Sequence, residues 1–369
     1  MSDFSAQDRE AICETFDRLL GDHASEETLR EVIKTESGFD AGLWQKMAEL
    51  GLTGLMISPE NDGIGGSIEE AEAVMEVAGA YLYNGPYIST CVVAPSLLAV
   101  AENTDITGPH LKNIAAGSSI FAVAGCGSSG DWTKAPEVTA TQTGGTWALT
   151  GHAHFVRHAR NADQFLVMAN IGDERAAFLL SANAAGLNQQ PHSTDDKTLR
   201  LSSLTFDGAE AVRLEGVGKK QIGKALKLGL AALAGEQAGA TRKIFDITIE
   251  YLNTRFQFGQ PIGRFQALKH MAADLLIEVE SASSAAQHAS RALAANAPSA
   301  TVLTYLAAFT CADNFRTVAA EAIQLHGGIA YTMEHPAHLY WRRAQTGQWL
   351  FGSSNRFREL YLSAMEFTL

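Results

Sequence analysis

The sequence is poor in cysteine, in clustered basic charge and in long apolar runs. Its four cysteines (Cys13, Cys91, Cys126 and Cys311) lie far apart and make neither a C-x-x-C pair nor a zinc spacing. That pattern argues against a disulfide framework or a metal centre and for reduced thiols in a cytoplasmic protein. The 28 Lys and Arg are outnumbered by 41 Asp and Glu, giving a net charge of −13 with no extended basic run. Phosphate backbones and anionic lipid both need clustered Lys and Arg, so neither nucleic acid nor a membrane surface is an expected partner. No stretch approaches 18 uninterrupted apolar residues, so no spanning helix is expected. The start, MSDFSAQDREAICETF, is polar and acidic and lacks the pattern of a signal peptide.

What is present is an ordinary globular composition, 46% hydrophobic and 19% charged, over 369 residues, enough for two or three packed units. Residues 5 to about 115 carry helical spacing. GLWQKMAELG puts Leu43, Met47 and Leu50 on one face and ends at Gly51, and SIEEAEAVMEVAGAYL opens with a serine cap and glutamates in its first turn. Between about 118 and 215 the pattern shortens to segments rich in Val, Phe, Thr and Leu, and TQTGGTWALTG predicts a hairpin turning at Gly144 and Gly145. From about 218 onward helical spacing returns. Leu226, Leu230, Leu233, Ile244, Ile247 and Tyr251 mark one long helix, and a face of Gly and Ala between them predicts close approach of another backbone. The expected class is α+β: a helical domain (1–117), an antiparallel β-sandwich or barrel domain (118–216) and a C-terminal helical bundle (217–369).

FAVAGCGSSGDW matches G-x-G-x-x-G at Gly125, Gly127 and Gly130. A dinucleotide fingerprint must open a helix, because the helix N-terminus holds the pyrophosphate. Here the glycines lead into DWTKAPEVTATQTGGTWALTG, which is strand and hairpin. The glycines are expected to mark a loop passing close to something flat or bulky.

Two C-terminal segments are more specific: YLNTRFQFGQPIGRFQALKHMAADL (251–275) and AIQLHGGIAYTMEHPAHLYWRRA (322–344). On residues alone, Arg255 is suited to a pyrophosphate through paired charge-assisted hydrogen bonds, and Gly327-Gly328 lets a backbone approach a phosphate. The same residues also suit a helix C-terminus and its cap. With GLWQKMAELGLTGLM and the α–β–α order, the two segments resemble the acyl-CoA dehydrogenase family over nearly the whole chain. The resemblance implies an FAD flavoenzyme. Arg255, Gln257, Phe258 and Gln266 would reach FAD held mainly by a neighbouring subunit of a tetramer. Gln324, Gly327 and Gly328 would grip its adenine end, and Ser353 and Asn355 complete the expected contacts. The implied reaction is α,β-dehydrogenation of an acyl-CoA thioester, with an electron-transfer flavoprotein as acceptor.

The chain departs from the family at the base. The stretch matching Y-E-G-T is QWLFGSSNRF, with Gly352 and Ser353 at the G-T, so Phe351 stands where the catalytic glutamate belongs. The alternative position, on the helix before the Arg motif, falls at about Gly229. Glu236, two turns further on, is a weak substitute, and Glu321 and Glu334 are weaker. The family's W-I-T flavin contact appears as Phe155-Val156-Arg157, and its T-E-P-x-A-G-S-D loop as AGCGSSGDW. These features resemble bacterial α2β2 steroid-type members in which one subunit type lacks the glutamate, so the partner would supply the base. The alternatives are a structural, FAD-completing subunit, or a homotetrameric dehydrogenase or oxidase using Glu236.

Overall fold

The computed structural model describes residues 4–366. Helices come first: α1 (Ala6–His23), α2 (Glu26–Val32), α3 (Ala41–Glu49), α4 (Ile68–Ala80), α5 (Ala94–Leu98) and α6 (Thr104–Ala115). Seven strands come next: β1 (Phe121–Ala124), β2 (Val138–Thr143), β3 (Thr146–Arg157), β4 (Gln164–Ile171), β5 (Glu174–Ser181), β6 (Leu187–Pro191) and β7 (Leu201–Gly218). Then come α7 (Lys219–Thr254), a two-residue pair β8 (Phe256–Gln257) and β9 (Gln260–Pro261), α8 (Gln266–Ala294), α9 (Ala300–His326), α10 (Ala337–Gly347) and α11 (Ser354–Glu366).

The expected order of helix, sheet, helix is therefore present, with the last change at Gly218/Lys219. By compactness the chain divides into two units. One holds Arg30–Ala71 and Asn84–Leu230; the other holds Ser5–Leu29, Glu72–Tyr83 and the chain from Ala231. Residues of α4 and of α7 are divided between the two units.

Local chemistry accounts for the helix ends. Ser67 caps α4: its backbone N–H and hydroxyl both donate to Glu70, and its hydroxyl accepts from the Glu69 N–H. In α3 the buried residues are Leu43, Trp44 and Met47, whereas Leu50 is 43% exposed, a correction to the expected face. Leu50 lies just past the last helical turn, where helical spacing no longer holds. Gly51, at φ 76°, ends the helix as expected.

In the first unit, β2, β3, β7, β5 and β4 pair in a closed ring. β1 adds to β4 and β6 to β7. Pairing is mostly antiparallel, with β1–β4 and β2–β4 parallel. Gly144 and Gly145, at φ 62° and 92°, form the predicted two-residue turn between β2 and β3. Leu149, Ala153, Val156, Phe165, Phe178, Leu204 and Phe206 fill the interior. In the second unit α7, α8 and α9 share an alanine-rich core around Ala238, Ala282, Ala286 and Ala307. Here the small-residue face of α7 meets the C-terminal half of α4: a Cβ on Gly239 would fall on the carbonyl oxygen of Glu76, and one on Gly79 would fall on that of Glu236. The four cysteines are unpaired, as expected, and burial pushes the Cys126 thiol up to about 12.

Candidate functional site

The second unit gathers the two C-terminal motifs at one place. Tyr251, in the last turn of α7, packs its ring against His326 at the end of α9, with centroids 4.6 Å apart and the planes tilted by 32°. His326 in turn lies 4.4 Å from the ring of His335. Its Nδ1 donates to the Ala322 carbonyl at 2.7 Å, and burial holds its pKa below the ordinary 6.5, so the ring is neutral. This contact joins the residues leading into Arg255 to those leading into Gly327.

Arg255 lies directly after α7. Its N–H donates to the Tyr251 carbonyl, its own carbonyl accepts from Ile262, and its side chain is exposed. Gln257 pairs with Gln260 across the small hairpin, whose turn is Phe258-Gly259. Phe258 has φ 52° and Gly259 φ 81°, the sign pair a two-residue turn of this kind needs. A bulky residue in that conformation is strained, and this one is 90% exposed. Its ring makes an edge contact with Phe265 at 6.1 Å. Gln266 opens α8 and is exposed.

At the end of α9, Gly327 has φ 64° and ψ −143°, a conformation open to glycine alone, and its N–H satisfies the Gln324 carbonyl. Gly328 is different, since it has no positive φ, and a Cβ at either glycine would meet nothing within 4 Å. Packing within the chain does not require this glycine. Gln324 is exposed beside the pair. The Tyr251–His326 contact thus places the turn that carries Arg255 near the turn that carries Gly327, with Arg255, Phe258, Gln324 and Gly328 exposed. A guanidinium, side-chain amides and a glycine that leaves room for close backbone approach suit a pyrophosphate-bearing ligand.

Ser353, Asn355, Phe351 and Glu236 lie elsewhere in the second unit. The Ser353 hydroxyl accepts from the Arg356 N–H at the start of α11, and Asn355 accepts from Arg358 at 3.1 Å. Phe351 is buried at 8% exposure, with φ 64°. An aromatic side chain at this strained position carries no proton-accepting group. Glu236 is 5% exposed and its carboxylate accepts from Arg343 Nη1 at 2.7 Å. Arg343, 2% exposed, also donates through Nη2 to the carbonyls of Leu82 and Tyr83. Glu236 is therefore engaged in a buried ion pair that ties α7, α10 and the end of α4 together, which accounts for its burial without a role as a base. The sequence did not single out Arg343. It lies 107 residues from Glu236, and a buried arginine has no local signal.

In the first unit, Gly125 and Gly127 serve close packing, as expected of a loop passing something bulky. A Cβ on Gly125 would lie 2.7 Å from the Trp132 ring, and one on Gly127 would strike the Glu137 side chain. Both the N–H and the hydroxyl of Ser128 donate to Glu137 at 2.9 Å, which holds that carboxyl below its usual range. No helix comes after these glycines before the strands, so no dinucleotide turn is formed. Phe155, at φ 54°, stacks on His192 with centroids 5.6 Å apart. Sequence reading also missed the polar cluster around it. Its one signal was the alternation His152-x-His154, which puts both rings on one sheet face.

Comparison with known proteins gives a consistent result. The profile of the acyl-CoA dehydrogenase N-terminal domain matches residues 6–103, and that of the C-terminal domain matches 216–365. The chain is 32% identical over 354 residues to the acyl-CoA dehydrogenase IpdE2 of Mycolicibacterium smegmatis, covering 94% of this chain and 95% of that one. It is 32% identical over 340 residues to IpdE2 of Mycobacterium tuberculosis, covering 92% and 91%. Among solved structures, the ChsE4–ChsE5 complex of Mycobacterium tuberculosis superposes with a TM-score of 0.91 at 25% identity, covering 99% of each chain. A variant of the Tcur3481–Tcur3483 steroid acyl-CoA dehydrogenase gives 0.90 at 26%, covering 98% of each.

Proposed function

The chain belongs to the acyl-CoA dehydrogenase family of oxidoreductases, and from that premise we propose that it works as one subunit of an FAD-dependent, hetero-oligomeric acyl-CoA dehydrogenase, contributing Arg255, Gln257, Phe258, Gln266, Gln324, Gly327 and Gly328 to FAD seated in a related neighbouring subunit. The observation that carries this reading is the Tyr251–His326 contact. It supports the reading because it holds the turn that carries an exposed guanidinium and a strained, exposed phenylalanine near the turn that carries an unobstructed glycine.

The residues fit the cofactor's phosphate and adenine end. Arg255 neutralises pyrophosphate charge, Gly328 admits it without a Cβ in the way, and Gln324 and Gln266 supply amide donors. FAD, when bound, supplies the hydride acceptor for the β carbon of an acyl-CoA thioester. Abstraction of the α proton falls to a carboxylate of the partner, because Phe351 and Gly229 occupy this chain's base positions and Glu236 is held by Arg343. The structure with TM-score 0.91 is of a two-component complex, ChsE4–ChsE5, and another neighbour is a steroid acyl-CoA dehydrogenase, which supports a paired assembly and a bulky, ring-bearing acyl group. An electron-transfer flavoprotein is the proposed acceptor and the cytoplasm the proposed site of action.

Purification decides between this and its rivals. The proposal expects a colourless chain alone that retains FAD and oxidises an acyl-CoA only when co-expressed with a related, glutamate-bearing subunit. A yellow homo-oligomer that turns over unaided would overturn it in favour of a self-sufficient enzyme. Flavin retention in the pair without turnover would point to a structural, FAD-completing subunit.

A further inference from the structure

The exposed face of the β3–β7–β6 ladder carries two imidazoles bridged by a serine hydroxyl, with a carboxylate within electrostatic reach of one of them, a set of acid–base groups that the family reading does not use. His154 Nδ1 lies 3.0 Å from Ser203 Oγ, and Ser203 Oγ lies 2.9 Å from His192 Nε2. At the other end His154 Nε2 lies 3.9 Å from Glu137 Oε2. The chain runs from a carboxylate that is 45% exposed, through an imidazole that is 27% exposed, to a second imidazole.

The backbone is arranged around it. Between Ala153 and Val156 the β3–β7 register slips, so that His154 and Phe155 together face Ser203. Such a bulge re-aims side chains at the cost of local ladder bonding. Phe155 takes φ 54° there, and its ring lies nearly parallel to His192, at 21°. Strain, bulge and stacking together fix the plane of the terminal imidazole.

Proton counting then gives the chain a direction. A serine hydroxyl has one proton, so it donates to one imidazole and accepts from the other. Glu137 is anionic because the Ser128 N–H and hydroxyl both bond it. The carboxylate favours the proton of His154 on Nε2, facing it. His154 Nδ1 is then an acceptor, Ser203 donates to it, and His192 Nε2–H donates to Ser203. The basic nitrogen left at the end of the chain is His192 Nδ1. The same orienting logic, a carboxylate fixing the tautomer of an imidazole, underlies acid–base sites generally.

We propose that Glu137, His154, Ser203 and His192 form a proton relay whose working end is His192 Nδ1, a general base on the β unit distinct from the carboxylate positions of the family. When His192 Nδ1 takes a proton from a C–H, N–H or O–H acid, Nε2–H passes its proton to Ser203 Oγ. The Ser203 proton passes to His154 Nδ1, and the resulting imidazolium is held by Glu137 until His154 releases Nε2–H to water. One proton enters and one leaves, and no electron moves. The groups facing the chain are His152, 6.3 Å from His154 and itself bonded to the Thr205 hydroxyl at 3.2 Å, and the Phe155 ring, which stabilises a cationic His192.

The test needs neither flavin nor partner, so it stands or falls apart from the proposed function. The full chain is labelled with ¹⁵N-histidine and the tautomer of each neutral imidazole is read from its ¹⁵N shifts. The relay predicts both His192 and His154 as the Nε2–H tautomer. Ser203→Ala removes the bridging hydroxyl, so His192 should lose that fixed tautomer, and Glu137→Gln should move His154 toward Nδ1–H. Ser203→Thr, which keeps the hydroxyl, should leave both tautomers as in the parent protein. The opposite His192 tautomer in the parent, or tautomers unmoved by Ser203→Ala, would overturn the relay. Circular dichroism and a retained shift for His326 in the other unit confirm that each variant is folded.

Discussion

The crossing of α4 and α7 should tell a required glycine from a tolerated one on the same helix. Gly239 and Gly223 both lie within α7. A Cβ on Gly239 would fall on the Glu76 carbonyl oxygen and lie 2.6 Å from its carbonyl carbon. Neither atom belongs to a flexible side chain, so the helices must separate. Overpacking of this kind costs about 1–3 kcal/mol, and more when backbone must move. Alanine also regains about 1 kcal/mol of helix propensity. The net expectation for Gly239→Ala is a loss of about 2 kcal/mol. At Gly223 a Cβ meets nothing within 4 Å, so only the propensity remains and Gly223→Ala should stabilise by up to about 1 kcal/mol. Urea unfolding followed by circular dichroism, with both variants beside the parent protein, measures the difference. Equal midpoints for the two variants, or a stabilised Gly239→Ala, would refute the packing argument, because propensity alone treats the two positions alike.

Buried charge gives two further outcomes. Glu236→Gln should destabilise by about 3–5 kcal/mol, because it leaves the Arg343 cation buried without its partner. Its thermal midpoint should fall while reactivity toward acyl-CoA in the assembled enzyme is lost only in proportion to unfolded protein; a stable variant with abolished turnover would make Glu236 the base after all. The pH dependence has a definite sign. His326 and His110 are both held below 6.5 by burial, so the unfolded chain binds protons more readily than the folded one. Their contribution to stability is complete above pH 6.5 and is lost as the pH falls below it toward their folded values. The thermal midpoint should therefore drop between pH 6.5 and 5, and His110→Gln should flatten that drop. A midpoint that rises on acidification across this window would show the sign to be wrong.

How much of the molecule is legible in the sequence depends on whether the signal is local. The β2–β3 turn is set by Gly144-Gly145, and the α4 cap by Ser67 and Glu70, because each involves residues a few positions apart. The G-x-G-x-x-G at Gly125 is told from a dinucleotide turn by the strand and hairpin after it, and the bulky group it passes is Trp132. Leu50 is misplaced by sequence spacing because the apolar pattern extends one residue past the end of α3. The division into two units is not legible, since it depends on α4 and α7 each crossing between them. Pairings such as Glu236–Arg343 and Tyr251–His326 span 107 and 75 residues and leave no periodicity behind. The residues of the Arg255 and Gly327 motifs are visible individually. Their proximity rests on a ring contact that spacing cannot reveal.

The most direct measurement is FAD retention by the assembled enzyme when this chain carries Arg255→Met or Gly328→Leu. Arg255 is exposed and a Cβ on Gly328 meets nothing, so neither change should shift this chain's own thermal midpoint. Loss of one charge-assisted contact is worth about 1.5–3 kcal/mol. The FAD dissociation constant should therefore rise roughly 10- to 150-fold for Arg255→Met, by the standard conversion of about 1.4 kcal/mol per decade. Unchanged FAD affinity in both variants, with the assembly intact, would contradict the claim that this surface grips the cofactor.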